Sequence, residues 1–111
     1  LERKASQVGI KIEFFQSNEE GKIVDEIQRL INICSGLVIN PGAYTHTSVA
    51  IRDALAIAKF PIVEVHLSNI YRREEFRKHS YVTGVSTGII SGLGAKGYAL
   101  ALDYLITQIK P

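Results

Sequence analysis

Short apolar runs alternate with helical patterns along this chain of 111 residues, and that alternation constrains its fold more than any other feature. Residues 10–15, 36–40, 62–66 and 87–91 are each predicted to form a β-strand. In most of the intervals, apolar residues recur every three to four positions, which indicates helices. Strands that alternate with helices build a parallel sheet covered on both faces. The prediction is therefore one α/β domain over residues 1–111.

The predicted helices carry their apolar residues on one face. After the first strand that face comprises Ile23, Ile27, Leu30, Ile31 and Cys34, and in the last helix it comprises Tyr98, Leu102, Leu105, Ile106 and Ile109. Ser17 and Glu20 have the spacing of a capping box, which predicts a helix start there. Cys34 is the single cysteine, and its apolar neighbours predict a buried thiol rather than a nucleophile.

The chain opens on a helical pattern, residues 1–8, with no strand before it. A helix that opens a doubly wound domain usually follows a strand, and in the flavodoxin-like order that first strand is central. Residues 36–40 are apolar on both faces, as expected of an interior parallel strand. The chain is therefore expected to lack its own middle strand and to be incomplete at the N-terminus.

Composition excludes several classes of function. The net charge of +2 is too small to indicate nucleic-acid binding. No apolar run approaches the roughly 20 residues that a membrane-spanning helix needs. The first residues contain no hydrophobic signal region, so the cytoplasm is the expected compartment.

A glycine motif at residues 92–97 matches G-x-G-x-x-G between a strand and a helix. A dinucleotide site would place a pyrophosphate at that helix N-terminus, but it also needs a second strand with an acidic residue about 20 positions later. The residues after Gly97 are helical instead. The preferred interpretation is a tight turn with close packing, and a nucleotide-binding domain is a weaker alternative.

A basic cluster comprises Arg72, Arg73, Arg77 and Lys78. Guanidinium groups bind carboxylates with two parallel hydrogen bonds, so the cluster could hold an anion. Glu74 and Glu75 lie within pairing distance on a helical turn, and the cluster could equally be a solvated surface. Taken alone, it favours the second interpretation.

The carboxyl ends of two strands carry the strongest functional signal. Glu64 and His66 lie two apart on a strand and so share a face, where a carboxylate can orient an imidazole. The turn 40–48 holds an amide, an imidazole and several hydroxyls. His46 or Thr47 could cap the next helix, but that does not explain Asn40. Both strand ends should meet at one edge of the sheet, around a polar, anionic ligand.

These motifs resemble those of type II 3-dehydroquinate dehydratase. Residues 40–54 read NPGAYTHTSVAIRDA, and residues 64–70 read EVHLSNI. The resemblance extends to FFQSN at 14–18, REEFR at 73–77 and GLGAKGY at 92–98. It is collinear and covers essentially the whole chain.

The resemblance implies a flavodoxin-like three-layer sandwich and a hydro-lyase that uses neither metal nor Schiff base. Such enzymes convert 3-dehydroquinate to 3-dehydroshikimate by anti elimination through an enolate, in aromatic biosynthesis or quinate breakdown. It implies a cytoplasmic homo-oligomer in which trimers assemble to a dodecamer. No cofactor and no nucleic-acid or membrane partner are expected.

The same resemblance assigns roles to individual residues. His66 would be the general acid, with Glu64 as its orienter. The residues expected to bind substrate are Asn40, His46, Leu67, Ser68, Arg73 and Arg77, together with Asp53, which would reach the site of a neighbouring subunit.

The catalytic base is the part of the family pattern that no residue here matches. In the family, a strand, a turn and a mobile lid come first, and the lid carries the tyrosine base and an arginine. None of the five tyrosines here has such a context. The chain alone is therefore expected to fold poorly and to need an N-terminal segment, which either a separate chain carries or cleavage or truncation has removed. The alternative function is a non-catalytic α/β binding module for a small polyhydroxy acid.

Overall fold

The computed structural model describes residues 1–110. Its strands are β1 (Leu37–Ile39), β2 (Ile62–His66) and β3 (Gly88–Ser91), and its α-helices are α1 (Glu2–Gln7), α2 (Glu20–Leu30), α3 (Val49–Ala56) and α4 (Lys96–Ile109). Short 3₁₀ turns cover Gly42–His46, Ile70–Arg72, Glu75–Lys78 and Thr83–Val85. Over this described part of the chain, no helix combines the length and the apolar character needed to cross a membrane.

The sheet is parallel throughout, in the order β1-β2-β3. Leu37 pairs with Ile62 and Val63 with Gly88, so the three carboxyl ends lie at one edge. All five residues of β2 are buried, because β2 has a strand on each side and helices over both faces. The predicted α/β fold with a parallel sheet is confirmed.

Two apolar clusters form the helical layers. Val63 and Val65 of β2 pack against Ala101 and Leu105 of α4 on one face. On the other face, Ile62 joins a cluster with residues of α2 and α3: Ile27, Ile51, Ala54 and Leu55. Since side chains alternate along a strand, Glu64 and His66 belong to the same side as Ile62. The core thus positions the two polar residues of β2 away from α4.

The strand predicted at residues 10–15 is wrong. These residues form no ladder, and Phe14 and Phe15 remain 63% and 52% exposed. A strand exists only through hydrogen bonds to a neighbour, and within residues 1–110 the one neighbour of β1 is β2. Contrary to the expectation of an interior strand, β1 is therefore an edge strand in this chain, and it is half-buried.

Two local predictions around α2 are also wrong. The helix begins at Glu20 with Glu19 as N-cap, whereas the Ser17 hydroxyl accepts a hydrogen bond from the Glu19 amide and caps nothing in the helix. Because α2 ends at Leu30, Cys34 lies in the following turn and is only half-buried. Burial nevertheless raises the pKa of the Cys34 thiol, which keeps it protonated.

The glycine turn between β3 and α4 is a packing device. Gly92 has φ +94°, and a Cβ added there would lie 2.8 Å from Cβ of Asn69. A Cβ at Gly97 would lie 3.2 Å from Val65 Cγ1 and 3.3 Å from Ile90 Cγ2. Because glycine has no Cβ, Gly97 lets α4 pack closely on β2 and β3, and Gly92 lets the turn lie against Asn69. This close packing agrees with the preferred interpretation of the glycine motif as a tight turn.

Gly92→Ala should destabilise the protein by about 2 kcal/mol, because alanine disfavours the positive φ and its Cβ would overlap Asn69. Urea unfolding measures the change. Gly21→Ala is the control, since it lies in α2 with open space around it and alanine favours helix. Equal stability of the wild type and Gly92→Ala would contradict this account of the turn.

Candidate active site

Three of the predicted site residues, Asn40, Glu64 and His66, lie at or next to the carboxyl edge of the sheet. Asn40 follows β1, and His66 is the last residue of β2. Ile39 pairs with Glu64, so Asn40 stands level with the end of β2. The parallel topology thus brings the two polar strand ends to one edge, where ligands bind in open α/β sheets.

Glu64 and His66 form a buried pair. His66 Nε2 lies 2.5 Å from Glu64 Oε2, and the two side chains are 5% and 0% exposed. An ionised carboxylate only accepts hydrogen bonds, so Nε2 must carry the proton of this contact. Within residues 1–110 the structure records no hydrogen bond at Nδ1 of His66, which leaves that nitrogen for a ligand. The predicted pairing of the two residues is confirmed by the geometry.

Three hydroxyl groups that the sequence interpretation missed also bind Glu64. Thr45 and Ser80 donate to Oε2, each over 2.8 Å, and Thr83 donates to Oε1 over 2.5 Å. Burial raises the pKa of Glu64, but the hydrogen bonds from its four donors outweigh burial, and the pKa lies below its ordinary value. The side chain of Glu64 is therefore a buried carboxylate at neutral pH.

The turn after β1 divides its polar groups between the interior and the ligand side. Ser48, rather than His46 or Thr47, caps α3, because its hydroxyl accepts the Ile51 amide over 2.9 Å. Only Ser48 has the extended backbone of an N-cap immediately before the helix, so the predicted capping role of the other two is wrong. Thr45 and Ser48 are buried, so their hydroxyls bind groups of the protein and not a ligand.

Asn40 and His46 are oriented by neighbours and keep ligand-binding capacity. The Asn40 Oδ1 accepts the Gly42 amide over 3.0 Å, and Nδ2 donates to the Tyr98 hydroxyl over 2.8 Å. One N–H of the amide remains available. His46 Nδ1 lies 2.7 Å from the His79 carbonyl. A carbonyl only accepts, so Nδ1 carries the proton and the neutral ring presents Nε2 as an acceptor.

Leu67 and Ser68, which follow β2, are exposed at the same edge. The Leu67 carbonyl accepts the Gly94 amide over 3.0 Å, and the Ser68 carbonyl accepts the Ser91 hydroxyl over 3.1 Å. The glycine turn thus holds this segment in place. The Ser68 hydroxyl lies 3.4 Å from Arg73 Nη1, a long contact that joins the basic segment to the strand end.

Two members of the basic cluster form ion pairs with glutamates, and a third contacts a neutral hydroxyl. Arg77 pairs with Glu74, and its guanidinium lies 5.0 Å from the Phe76 ring centroid. Lys78 pairs with Glu75 at 3.0 Å, as the surface interpretation predicted. Arg73 instead contacts the neutral Ser68 hydroxyl. Of the predicted arginines, Arg73 is thus the one whose recorded hydrogen-bond partner is uncharged.

Asp53 stands apart from the other predicted site residues. It is exposed on α3 and pairs with the adjacent Arg52 at 2.8 Å. No hydrogen bond among residues 1–110 joins it to the strand ends. Within the same described range, no three His, Cys, Asp or Glu side chains are grouped as a metal site would require.

Comparison with known proteins identifies close relatives. A family profile described as Dehydroquinase class II matches residues 1–106. The chain is 53% identical over 109 residues to the 3-dehydroquinate dehydratase of Aliarcobacter butzleri, covering 98% of this chain and 66% of that protein. It is 62% identical over 102 residues to the 3-dehydroquinate dehydratase of Thermotoga maritima, covering 92% of this chain and 69% of that protein. The chain thus spans about two-thirds of the length of these relatives.

Solved structures agree with this result. A type II dehydroquinase from Butyrivibrio crossotus is 50% identical with a TM-score of 0.88, and the match covers 93% of this chain and 72% of that one. A dehydratase-like protein from Bifidobacterium longum is 29% identical with a TM-score of 0.78, covering 98% and 82%.

Acid should destabilise the protein through Glu64. Because the folded-state pKa of Glu64 lies below its ordinary value of 4.5, ionised Glu64 contributes stability at neutral pH, and this contribution is lost as the pH falls through the folded value. Glu64→Gln should be less stable at neutral pH, and its free energy of unfolding should depend less on pH below 4.5. Urea unfolding across that range measures the slope.

The matched control is Glu2→Gln, which removes an exposed carboxylate and should keep the wild-type slope. An unchanged slope in Glu64→Gln would show that Glu64 does not ionise with a lowered pKa.

Proposed function

The chain belongs to the class II dehydroquinase family, and from that premise we propose that it carries the substrate site and general acid of a 3-dehydroquinate dehydratase. The resemblance seen in the sequence motifs is thereby confirmed at the level of the family. The reaction removes water from 3-dehydroquinate to give 3-dehydroshikimate, in the shikimate or quinate pathway. The buried Glu64–His66 pair at the carboxyl edge carries the proposal.

The elimination needs a base, an acid and stabilisation of an enolate. A base removes the proton beside the ketone, and the electron pair forms the enolate. As the enolate collapses, the carbon–oxygen bond breaks and the departing hydroxyl takes a proton from His66, leaving as water. Protonated His66 holds one N–H toward Glu64 and offers the other, at Nδ1, to the hydroxyl. Ionised Glu64 accepts the hydrogen bond from Nε2–H and so holds the ring in this orientation.

The remaining polar groups at this edge suit a polyhydroxy carboxylate. Asn40 offers an amide N–H, and neutral His46 offers an acceptor at Nε2. Ser68 and the Leu67 backbone lie beside Arg73, whose guanidinium can bind an anion. Arg77 would reach the ring substituents while it pairs with Glu74. We assign substrate binding to these residues.

The base is proposed to lie on a further segment. The tyrosines closest in sequence to the site motifs are already engaged, since Tyr44 donates to the Asn18 carbonyl and Tyr98 accepts from Asn40. The edge of β1 away from β2 has no partner in residues 1–110, and residues 10–15 pair with no strand. We propose that a segment carrying a strand and the lid completes this single domain, either from a separate chain or from the same protein.

The finer family properties are proposals of the same kind. We propose that Asp53, exposed on α3, reaches the site of a neighbouring subunit, as in the trimers and dodecamer expected from the resemblance. The cytoplasm is the proposed compartment. Sedimentation of the intact protein, with and without Asp53→Ala, would measure assembly, and activity of the same samples would measure the contribution to a neighbouring site.

His66→Ala should lower turnover by about 10² to 10⁴-fold, because a positioned general acid contributes on that order. Turnover is followed by the enone absorbance of the product. Substrate binding, measured by calorimetry on the same variant, should largely survive, since His66 acts on the departing hydroxyl. Near-normal turnover would exclude His66 as the acid, and substrate binding without turnover in the wild type would favour a non-catalytic module.

The chain expressed alone should fold poorly and lack activity, because the outer edge of β1 exposes backbone groups that have no partner. Supplying the missing segment as a second polypeptide should restore both properties. Circular dichroism, the enone assay and intact mass spectrometry decide the matter. A folded, active species with the mass of this chain alone would overturn the proposal of a further segment.

A further inference from the structure

We propose that Thr45, Ser80 and Thr83 are positioning residues for the elimination: their hydroxyls hold Glu64 as an oriented carboxylate, and through it they hold His66 in one ring orientation. This inference rests on the proposed dehydratase function. None of the three residues has a role in the substrate contacts assigned above.

The hydroxyls reach Glu64 from separate parts of the chain. Thr45 belongs to the 3₁₀ turn Gly42–His46, Ser80 to the segment that follows Glu75–Lys78, and Thr83 to the turn Thr83–Val85. Their distances to the carboxylate are 2.8, 2.8 and 2.5 Å. Glu64 and Thr45 are each 0% exposed, whereas Ser80 and Thr83 are half-buried.

The donors satisfy the carboxylate almost completely. An ionised carboxylate has about four acceptor positions; His66, Thr45 and Ser80 lie within hydrogen-bond distance of Oε2 of Glu64, and Thr83 lies within hydrogen-bond distance of Oε1. The Thr45 and Ser80 hydroxyls also lie 2.5 Å apart, so one of them can donate to the other. Burial alone would favour the protonated acid, which would turn one oxygen of Glu64 into a donor. Glu64 could then no longer accept equally well from His66. The hydroxyls therefore preserve the acceptor that fixes Nε2–H.

Ser80 is itself oriented toward Glu64. Its oxygen accepts the Val82 amide over 3.1 Å and the Thr83 amide over 3.3 Å. The single proton of this hydroxyl has two acceptors within reach, Glu64 Oε2 at 2.8 Å and the Thr45 hydroxyl oxygen at 2.5 Å. The backbone amides of Val82 and Thr83 thus fix the Ser80 oxygen beside Glu64 and Thr45.

Among residues 1–110, the recorded contacts of the Glu64 carboxylate are with one titratable residue and with uncharged hydroxyls. His66, on the same strand, is the titratable group recorded in contact with it among residues 1–110. The groups that reach it from the turn Gly42–His46 and from residues 80–83 are uncharged hydroxyls. The pKa of Glu64 is therefore set by burial, which raises it, and by the hydrogen bonds from His66 and the three hydroxyls, which lower it.

Thr45→Val and Thr83→Val test the inference in the intact enzyme, because valine keeps the shape and removes the donor. Each should lower kcat roughly tenfold, as expected for one lost hydrogen bond to a charged group, while KM stays within about twofold. The acidic limb of the pH profile should move upward by about one unit, because the pKa of Glu64 rises. Thr45→Ser restores the hydroxyl and should restore kcat.

The matched control is Thr107→Val on the exposed surface of α4, which should leave kcat and the pH profile unchanged. A purely structural role would lower the yield of folded enzyme without moving the acidic limb. Ser80→Ala provides a third removal of a donor where a valine variant fails to fold. Unchanged kcat and an unchanged limb in every folded variant would overturn the inference.

Carboxyl ¹³C NMR of Glu64 separates this inference from the proposed function, because it needs no substrate. The pKa of Glu64 should rise in Thr45→Val and Thr83→Val but not in Thr107→Val. A rise seen in a protein that does not dehydrate 3-dehydroquinate would leave the hydroxyl cluster standing and reject the function. If the enzyme is active but the pKa of Glu64 does not rise in these variants, the positioning role of the hydroxyls is rejected and the proposed function stands.

Discussion

The hydrogen-bonded burial of one carboxylate, Glu64, is the constraint on which the rest of the site depends. An unpaired charge on the central strand would cost several kcal/mol, so the surrounding chain must supply donors. Those donors come from the turn after β1 and from residues 80–83, which meet over the carboxyl edge of the sheet. The positions of the turn after β1 and of residues 80–83 therefore both depend on hydrogen bonds to the side chain of Glu64.

The alternation of side chains along β2 makes this arrangement compatible with a stable core. Val63 and Val65 pack on α4, and the apolar cluster on that face includes neither Glu64 nor His66. Glu64 and His66 occupy the opposite side, where the connections rather than a helix cover them. The two proposed catalytic groups can thus lie on the most buried strand without interrupting either apolar cluster. The rigidity of β2 then serves the orientation of His66.

Periodicity predicts those parts of this fold that depend on local pattern. Residues 62–66 form the central strand within the predicted limits, and α3 buries Ile51 and Leu55. Residues 10–15 have an equally good strand pattern but form none, because a strand also needs a partner that no local pattern reveals. The same reason explains why β1, apolar on both faces, lies at an edge.

The candidate site was predictable to the extent that chemistry follows position at a strand end. Asn40, Glu64 and His66 could be found because they end parallel strands or share a face. Thr45 and Ser80 could not, because a hydroxyl in a turn is equally typical of a cap or of solvent, and only the folded path shows that both point at Glu64.

The turn after β1 joins the two tasks of the site. Thr45 and Ser48 face the protein, one toward Glu64 and the other at the start of α3, whereas Asn40 and His46 keep free groups for a ligand. Any movement of this turn that adjusts the ligand side also moves a donor of the buried carboxylate. A ligand at the proposed contacts of Asn40 and His46 would therefore act on the same turn that carries Thr45, which reaches His66 through Glu64.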